Sequence, residues 1–144
     1  MITLLQRVSE ATVEVDGKSI ARIGRGLLVL VGVQADDERR IAQKFVTRLL
    51  NYRVFPDSDG KMNLSLIDID GDLLLVPQFT LAANTRKGRR PSFATAAPPA
   101  LGESVFDSMV GIASEDYAKV ACGQFGADMQ VHLVNDGPVT FILD

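Results

Sequence analysis

A polar segment near the C-terminus, Asn135-Asp136-Gly137-Pro138, interrupts an apolar alternation that is typical of a β-strand. A hairpin turn would explain the glycine. The proline after it fits a sheet poorly, because proline cannot donate a hydrogen bond to a ladder and makes the preceding peptide bond a candidate for the cis form. The segment is therefore either a turn or a rigid piece of backbone that is presented to a ligand.

A second candidate group, Gln78, Phe79 and Thr80, follows an apolar run and precedes a basic loop. On their own these residues could simply end a strand, with the Thr80 hydroxyl capping its own backbone. The loop concentrates four cations in five residues, Arg86, Lys87, Arg89 and Arg90. Flexible cations in an otherwise acidic chain are suited to following a phosphate backbone, although most charged runs are simply solvated loops.

Most familiar catalytic machinery is missing from the sequence. His132 is the only histidine and Cys122 the only cysteine, which excludes multi-histidine and cysteine-based metal sites within one chain. We expect His132 to face solvent or to be structurally paired. The segments 57–63 and 68–72 look like calcium loops, but each has glycine at the fourth position instead of the sixth, which predicts turns. Neither a metal nor another cofactor is predicted.

Length and composition predict a single domain over residues 1–144. An apolar fraction of 47% is enough for a hydrophobic core. The net charge of −3 argues against broad electrostatic attachment to nucleic acid, so such contacts should be local. No apolar run approaches the ~20 residues that cross a bilayer, which predicts a cytosolic protein without a membrane partner.

The elements that must position these residues follow from the periodicity of apolar side chains. Residues 2–34 alternate or run apolar, with a hairpin predicted at Asp16-Gly17 and a central buried strand at 26–33. From Asp36 to about Leu50 the spacing is helical, and the acidic residues at its start suit the positive end of a helix. Pro98-Pro99 predicts the start of a second helix.

Four more strands are predicted: 52–55, a buried strand within 72–81, and two final strands on either side of the junction between Asp136 and Gly137. The order of strands, helix, strands, helix, strands is not a strict βαβ alternation. It favours an α/β or α+β domain, in which a mixed, largely antiparallel sheet packs with two helices, over a doubly wound parallel sheet.

Seven stretches spread over the chain resemble the D-aminoacyl-tRNA deacylase family: QRV (6–8), GLLVLVGV (26–33), GKMNLS (60–65), TRKGRRPSF (85–93), AAPP (96–99), FGADMQV (125–131) and NDGPVT (135–140). The signature motifs of that family are usually written SQxxT and NxGPxT. The second is matched by NDGPVT. In the first, counted from Pro77, Gln78 is matched and the threonine position falls on Leu81, next to Thr80. Pro77 stands where the family commonly has serine and lacks both a hydroxyl and a backbone N–H.

The resemblance implies a homodimeric enzyme that hydrolyses the ester between a D-amino acid and the terminal ribose of a tRNA. Glycine mischarged on tRNA(Ala) would be a further substrate. In that family the Gly-Pro bond is cis and enters the pocket of the other subunit, so the active sites lie at the subunit interface. Gln78, Phe79 and Thr80 are then implied in catalysis, and Gly137 and Pro138 in chiral selection.

An aminoacyl ester is already a reactive acyl group, so orientation and preorganised backbone dipoles could suffice for catalysis. We expect the N–H groups of Phe79 and Thr80 to face the scissile carbonyl and the neighbouring ribose 2′-OH to help activate water. Thr80 as a covalent nucleophile is the competing hypothesis, although no adjacent base is evident. A Gly-cisPro segment close to Cα would exclude L side chains by collision and admit glycine.

Three residues in family-like stretches, Arg7, Met129 and Asn135, are expected to support the Gly-Pro segment or line the pocket, with packing as the alternative role for Arg7 and Met129. The four cations of the basic loop are expected to bind tRNA phosphates near the acceptor end. A non-enzymatic RNA-binding module and another small esterase are the alternatives. The first is disfavoured because such modules stack bases on exposed aromatic residues, whereas most of the seven Phe lie at apolar-periodic positions.

Overall fold

The computed structural model describes all 144 residues, Met1–Asp144. Along the chain, a strand-rich first part is followed by alternating helices and strands, with a short 3-10 turn at Phe79–Ala82. The bounds are β1 (Ile2–Val15), β2 (Lys18–Ile23), β3 (Gly26–Gly32), α1 (Arg39–Asn51), β4 (Phe55–Pro56), β5 (Met62–Leu64), β6 (Asp72–Pro77), α2 (Pro99–Asp116), β7 (Val120–Cys122) and β8 (Gln130–Leu143).

The long strand β1 organises the main sheet. One of its edges pairs antiparallel with β3 over its first half and with β2 over its second half, while its other edge pairs antiparallel with β8. Parallel pairing of β3 with β6 and of β6 with β7 extends the sheet. The predicted fold class is therefore confirmed: a mixed, mostly antiparallel sheet with two helices.

Two predicted features of the first sheet strands are confirmed. Asp16 and Gly17 both have positive φ, 50° and 74°, so they form the tight turn between β1 and β2. β3 lies between β1 and β6, and its apolar run faces two cores: Leu27 and Val29 pack against the helices, and Leu28 packs on the opposite face. Burial of each such side chain stabilises the fold by about 1.5–3 kcal/mol.

Both predicted helices are present and pack their apolar faces on the main core, through Phe45 and Leu49 of α1 and through Val105 and Met109 of α2. Pro99 is the first residue of α2, as predicted. The helix α1 begins at Arg39, three residues later than the predicted start at Asp36. The acidic residues do not form its first turn, because the Asp37 carboxylate instead accepts a hydrogen bond from the Gln34 N–H (2.7 Å).

The buried strand predicted within 72–81 ends early, at Pro77. The Gln78 N–H still donates to the Val31 carbonyl (2.8 Å), and the chain then turns, so that the Leu81 N–H donates to the Gln78 carbonyl (3.2 Å). Pro77 is consistent with the end of the strand at this position, since proline has no N–H to donate to a further hydrogen bond of the ladder. The short strand predicted at 52–55 is also smaller and consists of Phe55–Pro56.

The prediction of two separate C-terminal strands is wrong. β8 is one strand that pairs with β1 on both sides of the polar segment, with Asn135 opposite Val8 and Thr140 opposite Gln6. Residues 136–139 thus stand opposite the single residue Arg7 and bulge out of the ladder. The chain does not reverse, because both halves of β8 run antiparallel to the same edge of β1.

Candidate active site

Two adjoining cavities lie at the end of β6. The strand-end cavity, of about 270 Å³, is lined by residues that include Gln78, Phe79 and Met129. The helix-side cavity, of about 230 Å³, lies between β3 and the start of α2. The two share four lining residues, Pro77, Phe79, Phe125 and Gly126. None of the residues that line either cavity has an ionisable side chain.

The 3-10 turn Phe79–Ala82 places the conspicuous polar groups of the first motif beside these cavities. Its first N–H groups, those of Phe79 and Thr80, have no partner inside the turn. The Gln78 side-chain amide donates to the Thr80 hydroxyl (2.5 Å). The turn fits closely over β3 because Gly32 has no side chain: a Cβ there would lie 2.8 Å from Leu81 Cβ. Gln78 and Phe79 line the strand-end cavity, whereas Thr80 is exposed beside them and lines neither cavity. The turn carries N–H donors and one hydroxyl but no base.

The groups with perturbed pKa values lie elsewhere. Burial raises the pKa of the Cys122 thiol, with a further contribution from Asp107. Burial likewise raises the pKa of Tyr117, whose hydroxyl donates to the Gly71 carbonyl. His132 faces solvent, as predicted, and its Nε2 lies 3.4 Å from Glu14 Oε2. None of these three residues lines either cavity.

The two segments that look like calcium loops are turns, as predicted. The Asp57 carboxylate accepts hydrogen bonds from the Asp59 and Lys61 N–H groups and from the Asn63 amide, and the last of these is the main reason that its pKa is lowered. Asp68 closes the second turn in a similar way on Ser65. No cluster of three or more His, Cys, Asp or Glu residues suited to a metal ion occurs in the structure.

The bulge of β8 is held by two side chains. Asn135 spans its base: its Oδ1 accepts from the Val139 N–H (2.7 Å) and its Nδ2 donates to the Thr140 hydroxyl (2.8 Å). Arg7 holds it from β1, since Nε donates to the Asp136 carbonyl (2.9 Å) and Nη1 to the Val54 carbonyl (2.7 Å). The arginine side chain is only 12% exposed, so its geometry is constrained.

Gly137 and Pro138 themselves are exposed at the tip of this bulge, and the peptide bond between them is cis. A Cβ at Gly137 would lie 2.6 Å from Val139 Cγ2 and 3.1 Å from Arg7 Nη2. Its φ of +139° is a conformation that L side chains rarely adopt. Glycine is therefore required by the shape of the bulge.

Within one chain the two motifs do not meet. Met129 lines the strand-end cavity with Gln78 and Phe79, but neither cavity is lined by Gly137 or Pro138. β8 and β6 are separated by β1 and β3, which amounts to three strand spacings or about 14 Å across the sheet. Gln78 and Phe79 of the first motif therefore line a cavity to which the second motif of the same chain does not contribute. Gly137 and Pro138 of the second motif project into solvent.

The basic loop is closed at its base and free at its tip. Asn84 and Ser92 exchange two backbone hydrogen bonds (2.8 and 3.0 Å). Residues 85–91 therefore form a loop whose two ends are held together. Its four cations are exposed, and none takes part in an ion pair. Their charge is therefore available to an anionic ligand.

Two aromatic residues of this region were not singled out from the sequence. Phe125 lines both cavities, and Phe93 is exposed and packs against Phe79. Phe125 lies in a loop and Phe93 follows the basic loop, so neither belongs to a periodic element from which its environment could be inferred. Three of the seven Phe residues expose more than a third of their surface, Phe79, Phe93 and Phe141.

Neither helix combines the length and apolar composition that a membrane-spanning segment requires.

A family model described as D-Tyr-tRNA(Tyr) deacylase matches residues 4–144. A D-aminoacyl-tRNA deacylase from Pseudomonas aeruginosa (strain UCBPP-PA14) is 65% identical over 144 residues, which is 100% of this chain and 99% of that protein. One from Pseudomonas putida (strain GB-1) is 64% identical over 140 residues, 97% of each chain.

Two solved structures are similar over nearly the whole chain. A c-Myc DNA unwinding element binding protein has a TM-score of 0.95 and 39% identity, covering 100% of this chain and 98% of its own. A probable eukaryotic D-amino acid tRNA deacylase has a TM-score of 0.84, covering 99% and 97%, and its 20% identity supports the fold alone.

Proposed function

Because the chain belongs to the D-Tyr-tRNA(Tyr) deacylase family and is a hydrolase acting on the ester bond of D-aminoacyl-tRNA, we propose that it proofreads charged tRNA in the cytoplasm with Gln78, Phe79 and Thr80 as its catalytic segment. The observation that carries this proposal is the strand-end cavity, whose lining includes Gln78 and Phe79 but no ionisable side chain. Such a cavity suits an ester that is reactive enough to need orientation and charge stabilisation rather than a strong base.

In the proposed mechanism, the N–H groups of Phe79 and Thr80 bind the carbonyl oxygen of the ester as negative charge develops on it. The neighbouring ribose 2′-OH helps to activate the attacking water, since no protein base is available. Thr80 as a covalent nucleophile is the competing mechanism, and it is disfavoured because the partner of its hydroxyl is the Gln78 amide, which donates and cannot remove a proton.

The protein is proposed to act as a homodimer in which Gly137 and Pro138 of one subunit enter the strand-end cavity of the other. The separation of the two motifs within one chain supports this arrangement, as does the exposed bulge that Arg7 and Asn135 hold in place. β8 also has an unpaired outer edge and exposes Val134 (50%) and Ile142 (65%), the kind of surface that another chain covers.

The same arrangement would supply the chiral selection. A rigid Gly137-Pro138 segment placed against the substrate Cα would collide with an L side chain, while a D side chain would point away from it. Selection by exclusion also admits glycine, which has no side chain to collide, so glycyl-tRNA(Ala) is a proposed second substrate.

The basic loop is proposed to bind tRNA phosphates near the acceptor end. Replacing Arg86 and Arg90 together by glutamate should raise KM for D-Tyr-tRNA and leave kcat nearly unchanged, because both residues lie outside the cavities. The dependence of log KM on log salt should become shallower by about one unit for each phosphate that the altered loop no longer neutralises.

The control for this loop variant is charge reversal at two exposed lysines elsewhere, Lys18 and Lys44, which changes the net charge equally. Those lysine variants should retain the KM and the salt slope of the unmodified protein. An unchanged salt slope in the Arg86 and Arg90 variant would show that the loop has no role in tRNA binding.

The proposed proofreading function is tested by incubating the protein with D-Tyr-tRNA and L-Tyr-tRNA side by side and measuring release of tyrosine. We expect the D ester to be hydrolysed and the L ester to decay only at its spontaneous rate. Equal hydrolysis of both esters would indicate a less selective esterase, and binding of tRNA without hydrolysis would indicate an RNA-binding module.

A further inference from the structure

An exposed pair of aromatic rings stands beside the proposed active site. The ring centroids of Phe79 and Phe93 are 5.1 Å apart and the ring planes are tilted by 53°. Both side chains are largely open to solvent, at 55% and 44% of their surface. The pair, which we call the aromatic platform, is the kind of exposed apolar surface that marks an interaction site.

The backbone under the platform is fixed. The Phe93 carbonyl accepts a hydrogen bond from the Ala96 N–H (3.0 Å), and the Thr95 hydroxyl donates to the Ala82 carbonyl in the turn that carries Phe79. The neighbouring residue Ser92 pairs with Asn84 at the base of the basic loop. The two rings are therefore carried by segments that are bonded to each other, which lowers the entropic cost of placing a ligand on them.

The platform lies between the cavities and the positive charge. Phe79 lines both cavities, whereas Phe93 follows directly after the loop that carries Arg86, Lys87, Arg89 and Arg90. A ligand that has its end in the strand-end cavity and its phosphates on the basic loop would therefore lie close to these rings. A tRNA acceptor end has this form, because its last nucleotides are unpaired and their bases are free to stack.

We propose that the aromatic platform, through Phe93, stacks the base of the nucleotide that precedes the terminal adenosine of the tRNA. This inference rests on the proposed function. Stacking on an aromatic side chain is a common way to hold unpaired nucleotides, and removal of one such side chain typically weakens binding by about 5- to 150-fold. It tolerates any base and any tRNA body, which suits an enzyme that acts on a shared 3′ end.

The kinetic test compares two substrates that differ in the stacked nucleotide. With D-Tyr-tRNA, Phe93→Ala should raise KM about 10-fold at unchanged kcat, and Phe93→Tyr should restore the KM of the unmodified protein. With 3′-O-D-tyrosyl-adenosine, which lacks the preceding nucleotide, Phe93→Ala should have no effect. Ile20→Ala is the matched control, since Ile20 is similarly exposed (42%) on the distant strand β2.

A binding test avoids catalysis altogether. The chain contains no tryptophan, so Phe93→Trp introduces a single tryptophan at the platform, whose fluorescence can be excited selectively. Uncharged tRNA with an intact 3′ end should quench this fluorescence, and the same tRNA with its unpaired 3′ nucleotides removed should quench it much less. Equal quenching by both forms would show that the platform does not stack the acceptor end.

Two further results would overturn the inference while leaving the proposed function intact. An equal rise in KM for D-Tyr-tRNA and for 3′-O-D-tyrosyl-adenosine in Phe93→Ala would mean that Phe93 only supports Phe79. A shift of Phe93→Ala to a smaller oligomer by light scattering would mean that a second copy of the chain covers the platform. Failure of the unmodified protein to hydrolyse D-Tyr-tRNA would instead count against the proposed function.

Discussion

Replacement of Gly137 by alanine should lower kcat/KM for D-Tyr-tRNA by at least about 100-fold while β8 remains folded. The new Cβ would lie 2.6 Å from Val139 Cγ2, and the φ of +139° is one that alanine adopts only with strain, at a cost of about 1–3 kcal/mol. The bulge must therefore change shape, and with it the position of Pro138 and of the Asp136 carbonyl that Arg7 binds. Steady-state deacylation and a thermal melt measure the two effects.

The matched control for this variant is Gly60→Ala. Gly60 also has a positive φ, but its +76° is close to the left-handed helical region that L residues can adopt, and nothing lies within 4 Å of a Cβ placed there. Its backbone cost is therefore smaller and its steric cost is absent. This control should keep nearly full activity. A folded Gly137→Ala protein with full activity would show that the bulge has no part in the reaction.

A substrate that ends in 2′-deoxyadenosine should be hydrolysed at least about 100-fold more slowly than the ribose form. In the proposed mechanism the 2′-OH takes part in the proton transfer that activates the attacking water, and the deoxy substrate lacks this group. Neither cavity is lined by an ionisable side chain that could take over the role of the 2′-OH. Single-turnover rates at saturating protein separate this chemical effect from an effect on binding.

The same assay distinguishes the two proposed roles of Thr80. Thr80→Val removes the hydroxyl and keeps the N–H, so turnover should remain within about 10-fold of the unmodified protein if only the N–H acts. Loss of a covalent nucleophile typically costs about 10⁴-fold or more. A near-complete loss in Thr80→Val, together with an unimpaired 2′-deoxy substrate, would favour the nucleophile.

The sequence predicted the parts of the fold that depend on local periodicity. The alternation around Asp16-Gly17 predicted the first hairpin, and the proline pair at the start of α2 predicted its first residue. The start of α1 was missed because the Asp37 carboxylate bonds to the Gln34 N–H, a competition that helical spacing does not reveal.

The geometry of the candidate site could be predicted less well from the sequence than the fold. Gln78 and Phe79 were chosen from a motif, but the cavity depends on Phe125 and on the close approach allowed by Gly32, both distant along the chain. The bulge of β8 looked like a turn because its composition is that of a turn, whereas pairing of both flanks with β1 decides its conformation. Such features are set by tertiary structure rather than by local sequence.

In the proposed dimer, one chain supplies the cavity and the other supplies the Gly137-Pro138 segment. Mixed dimers test it directly. One subunit carries Gly137→Ala and the other carries Ala127→Trp, which fills the strand-end cavity that Ala127 lines. Differently tagged subunits allow the mixed dimer to be purified, and each variant alone should be folded and nearly inactive.

If the segment acts on the partner's cavity, the mixed dimer contains one doubly damaged site and one intact site. We predict that it recovers about half of the deacylation rate of the unmodified dimer on D-Tyr-tRNA, since one of two independent sites is complete. A mixed dimer that is no more active than its two parent variants would rule out the shared site, because each chain would then need its own segment and its own cavity.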